Sequence, residues 1–129
     1  SMSGSSRIAL ELISRDLRMG YKINSASTIK LDFDIYGKAG TNSNIVLEYS
    51  GADDKLYRTE NGGTTEELLE DLRSFQFNYY NLRRELTIAP ISIKEVQMEG
   101  VMKKKTLVIT NTNYIISARF MMRNHSVSD

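Results

Sequence analysis

The sequence predicts an α+β domain: an N-terminal amphipathic helix packed on antiparallel β-sheet of about seven strands. Three observations predict it. Residues 7–22 carry apolar side chains at helical spacing. After Asn24 the apolar period changes to two and stays there. The joins between the alternating runs are short and rich in Gly, Asn and Asp, which favours antiparallel neighbours.

Ser1 to Ser6 read as an expression-tag remnant, so the ordered domain is expected over 7–124, with a polar tail at 125–129. On a helical wheel Glu11, Ser14, Arg15, Arg18 and Lys22 share one arc of roughly 100°. Ile8, Ala9, Leu10, Leu12, Ile13, Leu17 and Met19 occupy most of the rest. That apolar stripe is about twice as wide as a surface helix needs. Asp16 lies inside it, at about 80° on the wheel, where a charge must find a partner or stay wet. It splits the stripe. Ala9, Leu10, Ile13, Leu17 and Tyr21 form the broader part, expected on the sheet. Leu10, Ile13 and Leu17 should each contribute about 1.5–3 kcal/mol by burial. Gly20, or Asn24 with Ser25, is expected to end the helix.

The strands follow in order. "TIKLDFDIY" alternates Ile29, Leu31, Phe33 and Ile35 against Lys30, Asp32 and Asp34. "NIVLEYS" (44–50) and "KLYRT" (55–59) read as a hairpin across Gly51 to Asp54, and "ENGG" (60–63) as a second turn. "TTEELLEDL" (64–72) has capping-box spacing from Thr64 to Glu67 and predicts one or two helical turns. "SFQFNYY" sets Phe75, Phe77 and Tyr79 on one face. "ISIKEVQME" changes phase after Ile91 and Ile93 to Val96 and Met98, which suggests a bulge near Lys94 and Glu95. "TLVIT" (106–110) and "NYIISARFMMR" (113–123) make a last pair around Asn111 and Thr112.

Composition bounds the function. Over 129 residues the net charge is +1, so nothing in the overall composition points to a polyanion such as nucleic acid or to an anionic membrane surface, and no nucleic-acid partner is expected. The sequence has no cysteine, which excludes disulfides, thiolate zinc sites and a cysteine nucleophile. No stretch reaches the roughly 20 apolar residues of a membrane span. The only histidine, His125, lies in the polar tail, a poor place for a base that must be rigidly oriented. Asp32 and Asp34 resemble a carboxylate pair, but alternation puts both on a polar strand face as solvated charges. Glu66, Glu67, Glu70 and Asp71 lack the loop spacing of a calcium site, and acidic residues suit a helix's first turn. Lys103, Lys104 and Lys105 have no interleaved aromatic platform and read as a solvated turn. "NGG" has no Walker lysine behind it. No catalytic residue, cofactor or metal is expected.

The order of features resembles the soluble domain of minor pilins and pseudopilins, nearest to the W-type minor pilins of type IV pili and the J-type pseudopilins of type II secretion. The matching pieces are Arg15-Asp16-Leu17-Arg18, Leu56-Tyr57-Arg58 before the Gly turn, Phe75-Gln76-Phe77-Asn78-Tyr79-Tyr80, and Arg123-Asn124 after the last strand. The resemblance implies a non-enzymatic assembly subunit whose helix starts some 30 residues upstream. That upstream half would anchor it in the inner membrane, with the soluble domain in the periplasm or at the cell surface. Its partners would be other minor pilins or pseudopilins and the major pilin. The excess apolar surface then has an expected use: Ile8, Leu12 and Met19 face a neighbouring subunit, with Asp16 paired to a basic group at the boundary; the alternative is that the domain's own loops cover Ile8, Leu12 and Met19. The competing expectation is a small-molecule or glycan-binding β-domain, with Tyr49, Tyr57, Tyr79 and Tyr80 lining a groove.

Overall fold

The computed structural model describes residues 4–37, 40–103 and 113–121. Helix α1 (Gly4–Arg18) leads directly into five antiparallel strands: β1 (Gly20–Ala26), β2 (Lys30–Tyr36), β3 (Asn42–Ser50), β4 (Lys55–Glu60) and β5 (Thr65–Leu69). They lie side by side in sequence order. A second antiparallel sheet follows with β6 (Leu72–Tyr80), β7 (Glu95–Lys103) and β8 (Asn113–Met121), also in sequence order. One 3-10 turn, Pro90–Ser92, precedes β7.

The α+β expectation is therefore corrected. With one 15-residue helix against eight described strands, the domain is mainly β. Three local outcomes make the difference.

First, the helix does not run to residue 22. The Met19 amide bonds both the Arg15 and Asp16 carbonyls, and the chain then enters β1. Tyr21 and Lys22 fit the helical wheel, but Gly20 before them disfavours helix by about 1 kcal/mol. Ile23 is buried in β1, a stronger demand than the wheel. At its other end α1 begins at Gly4, so the last residues of the segment read as a tag remnant are helical.

Second, 64–72 is not helical. Glu66 sits opposite Arg58 and Glu67 opposite Tyr57 on β4. Arg58 Nη1 bonds Glu66 Oε1 at 2.9 Å, Lys55 Nζ bonds Glu67 Oε2 at 3.1 Å, and the Thr59 and Thr65 hydroxyls meet at 2.8 Å. These cross-strand pairs reward an extended chain where a capping box would reward a helix. Asp71, at φ 58°, then turns the chain from β5 into β6.

Third, the phase change near Lys94 and Glu95 is not a bulge. It marks the exit from the 3-10 turn, where Pro90 supplies a fixed φ and needs no donor. "TLVIT", the Asn111–Thr112 turn, Lys104 and Lys105, and the tail with His125 lie outside the described residues. Lys103 ends β7.

Both predicted turns near residues 51–54 and 60–63 are present. Asn61 (φ 52°) and Gly62 (φ 66°) take left-handed conformations in succession, and the Gly63 amide bonds the Glu60 carbonyl at 2.9 Å. That is type I′ geometry, which twists with the strands it joins and admits Asn-Gly readily.

Alternation along β2, β3 and β4 places Leu31, Phe33, Ile45, Leu47 and Leu56 on one face, all buried. Ala9, Ile13 and Leu17 of α1 are buried in the same core, with Leu10 half-buried against it. The second sheet closes the end of the first. The Phe77 amide bonds the Thr28 carbonyl, the Leu72 amide bonds the Asp54 carbonyl, and the Tyr49 hydroxyl donates to the Leu72 carbonyl at 2.9 Å. Phe75 and Phe77 meet edge to face at 5.0 Å. On the facing strand a Cβ at Gly100 would stand 3.1 Å from the Phe75 ring, so glycine leaves room for it.

Tyr79 fastens the joint. Its ring is buried and its hydroxyl donates to the Ser27 carbonyl at 2.7 Å. Replacing it with phenylalanine should destabilise the domain by about 1 kcal/mol, read from chemical denaturation. Burial also raises its pKa above the ordinary 10.0. A raised phenol pKa gives stability that is complete below pH 10 and is lost as pH rises towards the folded value. Alkaline titration should therefore unfold the parent earlier, relative to its neutral-pH stability, than Tyr79→Phe. Equal slopes of stability against pH for the two proteins would refute this.

Candidate interaction surface

The helix has two unlike sides. Its inner side is locked by charge as well as by apolar contact. Asp16, 1% exposed, meets Arg58 on β4 in a two-pronged arrangement: Nε to Oδ2 at 2.8 Å and Nη2 to Oδ1 at 3.2 Å. Arg58 Nη1 is shared between Glu66 at 2.9 Å and Glu60 at 3.3 Å. Burial alone would lower the Arg58 pKa, but hydrogen bonds and charge from Asp16, then Glu66 and Glu60, more than reverse this. The guanidinium is thus held charged. Such a fork fixes both the position and the rotation of the helix on the sheet.

The outer side is different. Ile8 is 68% exposed, Met19 is 36% exposed, and Leu12 is half-buried. Arg7, Ile8, Leu10, Glu11, Leu12, Ser14, Arg15 and Arg18 line a shallow open groove of about 770 Å³. Ser14 accepts a hydrogen bond from Arg18 one turn on. The floor is thus aliphatic and the rim mostly basic. Of the four residues predicted to face a partner, Ile8 and Leu12 lie together along this groove, and Met19 is exposed just past the helix end. Asp16 does not join them. Its basic partner is Arg58 of the same chain, reached across the core.

Sequence reasoning named Arg58 only within a matching piece and missed it as the partner of Asp16. The signal was present in "KLYRTE": Leu56 and Arg58 share a parity, so if one is buried the other enters beneath the helix.

The other candidates disperse. Tyr79 is in the core, Tyr49 packs on Phe75, the Tyr57 hydroxyl donates to Asp53 at 2.8 Å, and the Tyr80 hydroxyl donates to Gln97 at 3.2 Å. These four rings line no common groove. Asp32 and Asp34 share the outward face of β2, where the side-chain amides of Asn24 and Asn44 donate to both at 2.7–3.0 Å. Glu66 and Glu67 serve β4, as described. Among the described residues no group of three or more His, Cys, Asp or Glu is placed to hold a metal ion. No described helix is long and apolar enough to cross a membrane.

A second exposed apolar surface carries no periodic signal in the sequence. Between β6 and β7, Leu82, Leu86, Ile88 and Ile91 are all exposed.

Comparison with known proteins adds no identification: no family model matches the chain, and no curated protein matches it.

Proposed function

We propose that the chain is a non-enzymatic assembly subunit of the minor-pilin or pseudopilin kind, in a type IV pilus or type II secretion filament at the bacterial cell envelope. The observation that carries this reading is the division of α1. One side is locked to the sheet by Asp16 and Arg58, while Ile8 on the other remains 68% exposed. A helix held this firmly, with an aliphatic groove outside, is suited to laterally packed subunits. The order of sequence features that resembles these families supports the same reading. In it, an apolar segment continuous with α1 anchors the protein in the inner membrane, and other pilins or pseudopilins pack on the outer face. The dispersal of the four tyrosines weighs against a glycan-binding groove.

Leu12→Lys tests it. In the protein expressed in its own cell, a lysine on the outer face should abolish filament assembly or secretion. The purified domain should stay folded, with Tm lowered by only a few degrees because Leu12 is half-buried. Assembly at the parental level would refute the proposal.

A further inference from the structure

We propose that the loop joining β6 to β7 docks on the surface of an anionic phospholipid bilayer. The inference does not rest on the filament reading, since it uses a different face of the molecule. Within ten positions the loop carries Leu82, Leu86, Ile88 and Ile91, which are 52%, 71%, 66% and 72% exposed. Four large aliphatic side chains at such exposure need a reason, because solvent-facing apolar clusters usually mark contact surfaces.

The loop is held in place while presenting them. Asn81 Oδ1 accepts the amides of Arg83 and Glu85, both at 2.9 Å. The Thr87 amide bonds the Tyr79 carbonyl at 2.9 Å, and the Lys94 amide bonds the Tyr80 carbonyl at 2.8 Å. The aliphatic display is therefore fixed by its backbone.

Charge and composition select the occupant. Arg83 and Arg84 stand exposed at the tip, beside Leu82. The loop's own carboxylate, Glu85, is tied back to the Asn81 amide at 3.1 Å. Glu95, 3.9 Å from Arg84, is buried. The tip thus offers Arg83, with Arg84 in a long contact to buried Glu95, beside aliphatic chains and with no aromatic ring from Asn81 to Lys94. Protein hot spots draw on Trp, Tyr and Arg and under-use Leu. Exposed arginine close in the chain to exposed Leu and Ile matches a lipid interface instead. A second copy joined through the same patch would bring two arginine pairs together.

Co-sedimentation with vesicles decides it. The chain should partition onto phosphatidylcholine vesicles containing about one-third phosphatidylglycerol, and much less onto phosphatidylcholine alone. Arg83→Ala with Arg84→Ala should weaken binding roughly thirtyfold and flatten its salt dependence. The triple variant Leu86→Ser, Ile88→Ser, Ile91→Ser should weaken it about a hundredfold or more. Lys30→Ala, an exposed cation on β2, should bind as the parent does. No preference for anionic vesicles, or binding undiminished in the arginine variant, would overturn the proposal. So would a concentration-dependent dimer that the serine variant dissolves, because the occupant would then be a second copy.

Discussion

Arg58→Ala is expected to destabilise the domain by about 3–5 kcal/mol, much of what a domain of this size has to lose. The substitution leaves the Asp16 carboxylate with 0% side-chain exposure and, as its one remaining ion-pair contact among the described residues, Arg15 at 3.9 Å. In the parent Asp16 is shielded from water, and a buried carboxylate without a partner is far costlier than the pair it came from. Glu60 and Glu66 would be less affected, being about half exposed at 47% and 52%. The double variant Asp16→Leu, Arg58→Met should recover most of the loss, because replacing both charges with apolar groups of similar size removes the desolvation problem. Urea denaturation of the parent, both single variants and the double variant would close the cycle. Additive single effects would mean that the pair does not couple the helix to the sheet.

Phe77→Ala is expected to cost a similar amount, about 3–5 kcal/mol, by a different route. Phe77 is 1% exposed, edge to face with Phe75 and stacked at 6.0 Å with Tyr79. It stands where β6 meets the end of the first sheet, beside its own amide's bond to Thr28. Truncation would open a cavity at the seam between the two sheets. A drop in Tm of roughly 10–20 °C is expected, with the whole domain melting in one transition because the seam belongs to one core. Two separated transitions, or a loss below about 1 kcal/mol, would show that the sheets are not joined through this ring.

The strands were legible where side chains alternate cleanly. "KLDFDIY" must bury Leu31 and Phe33 and wet Lys30, Asp32 and Asp34 in an extended chain, and β2 does so. The helix was legible from Ile13 and Leu17, and Gly20, one of the two expected stops, does follow its end at Arg18; the wheel alone ran on to residue 22. Tyr21 satisfies both a helical wheel and a strand, and only the pairing of β1 with β2 decides between them. Residues 65–69 were misread for a related reason. A capping box is a local signal, whereas Arg58 and Lys55, which draw Glu66 and Glu67 into β5, arrive from another strand. Long-range partners override local propensity most easily in short segments, whose own preference is small.

The candidate surface was half legible. A stripe too wide for one sheet pointed to a second contact along Ile8 and Leu12. Asp16 announced a buried pair, but nothing local named Arg58, 42 positions away. The β6–β7 loop gave no warning, because aliphatic residues in an irregular segment follow no period and only folding shows which remain exposed.

These 129 residues hold no cysteine, so one introduced thiol is unique among them and makes the central claim directly measurable. Ile8→Cys, expressed in the native cell and treated with a thiol-reactive crosslinker, should join the protein to a pilin or pseudopilin subunit identified by mass spectrometry. Thr59→Cys, on the face of the sheet away from the helix, should give no such adduct. Equal crosslinking at both positions, or none at Ile8→Cys in cells with assembled filaments, would contradict the assignment of the outer helix face to a neighbouring subunit.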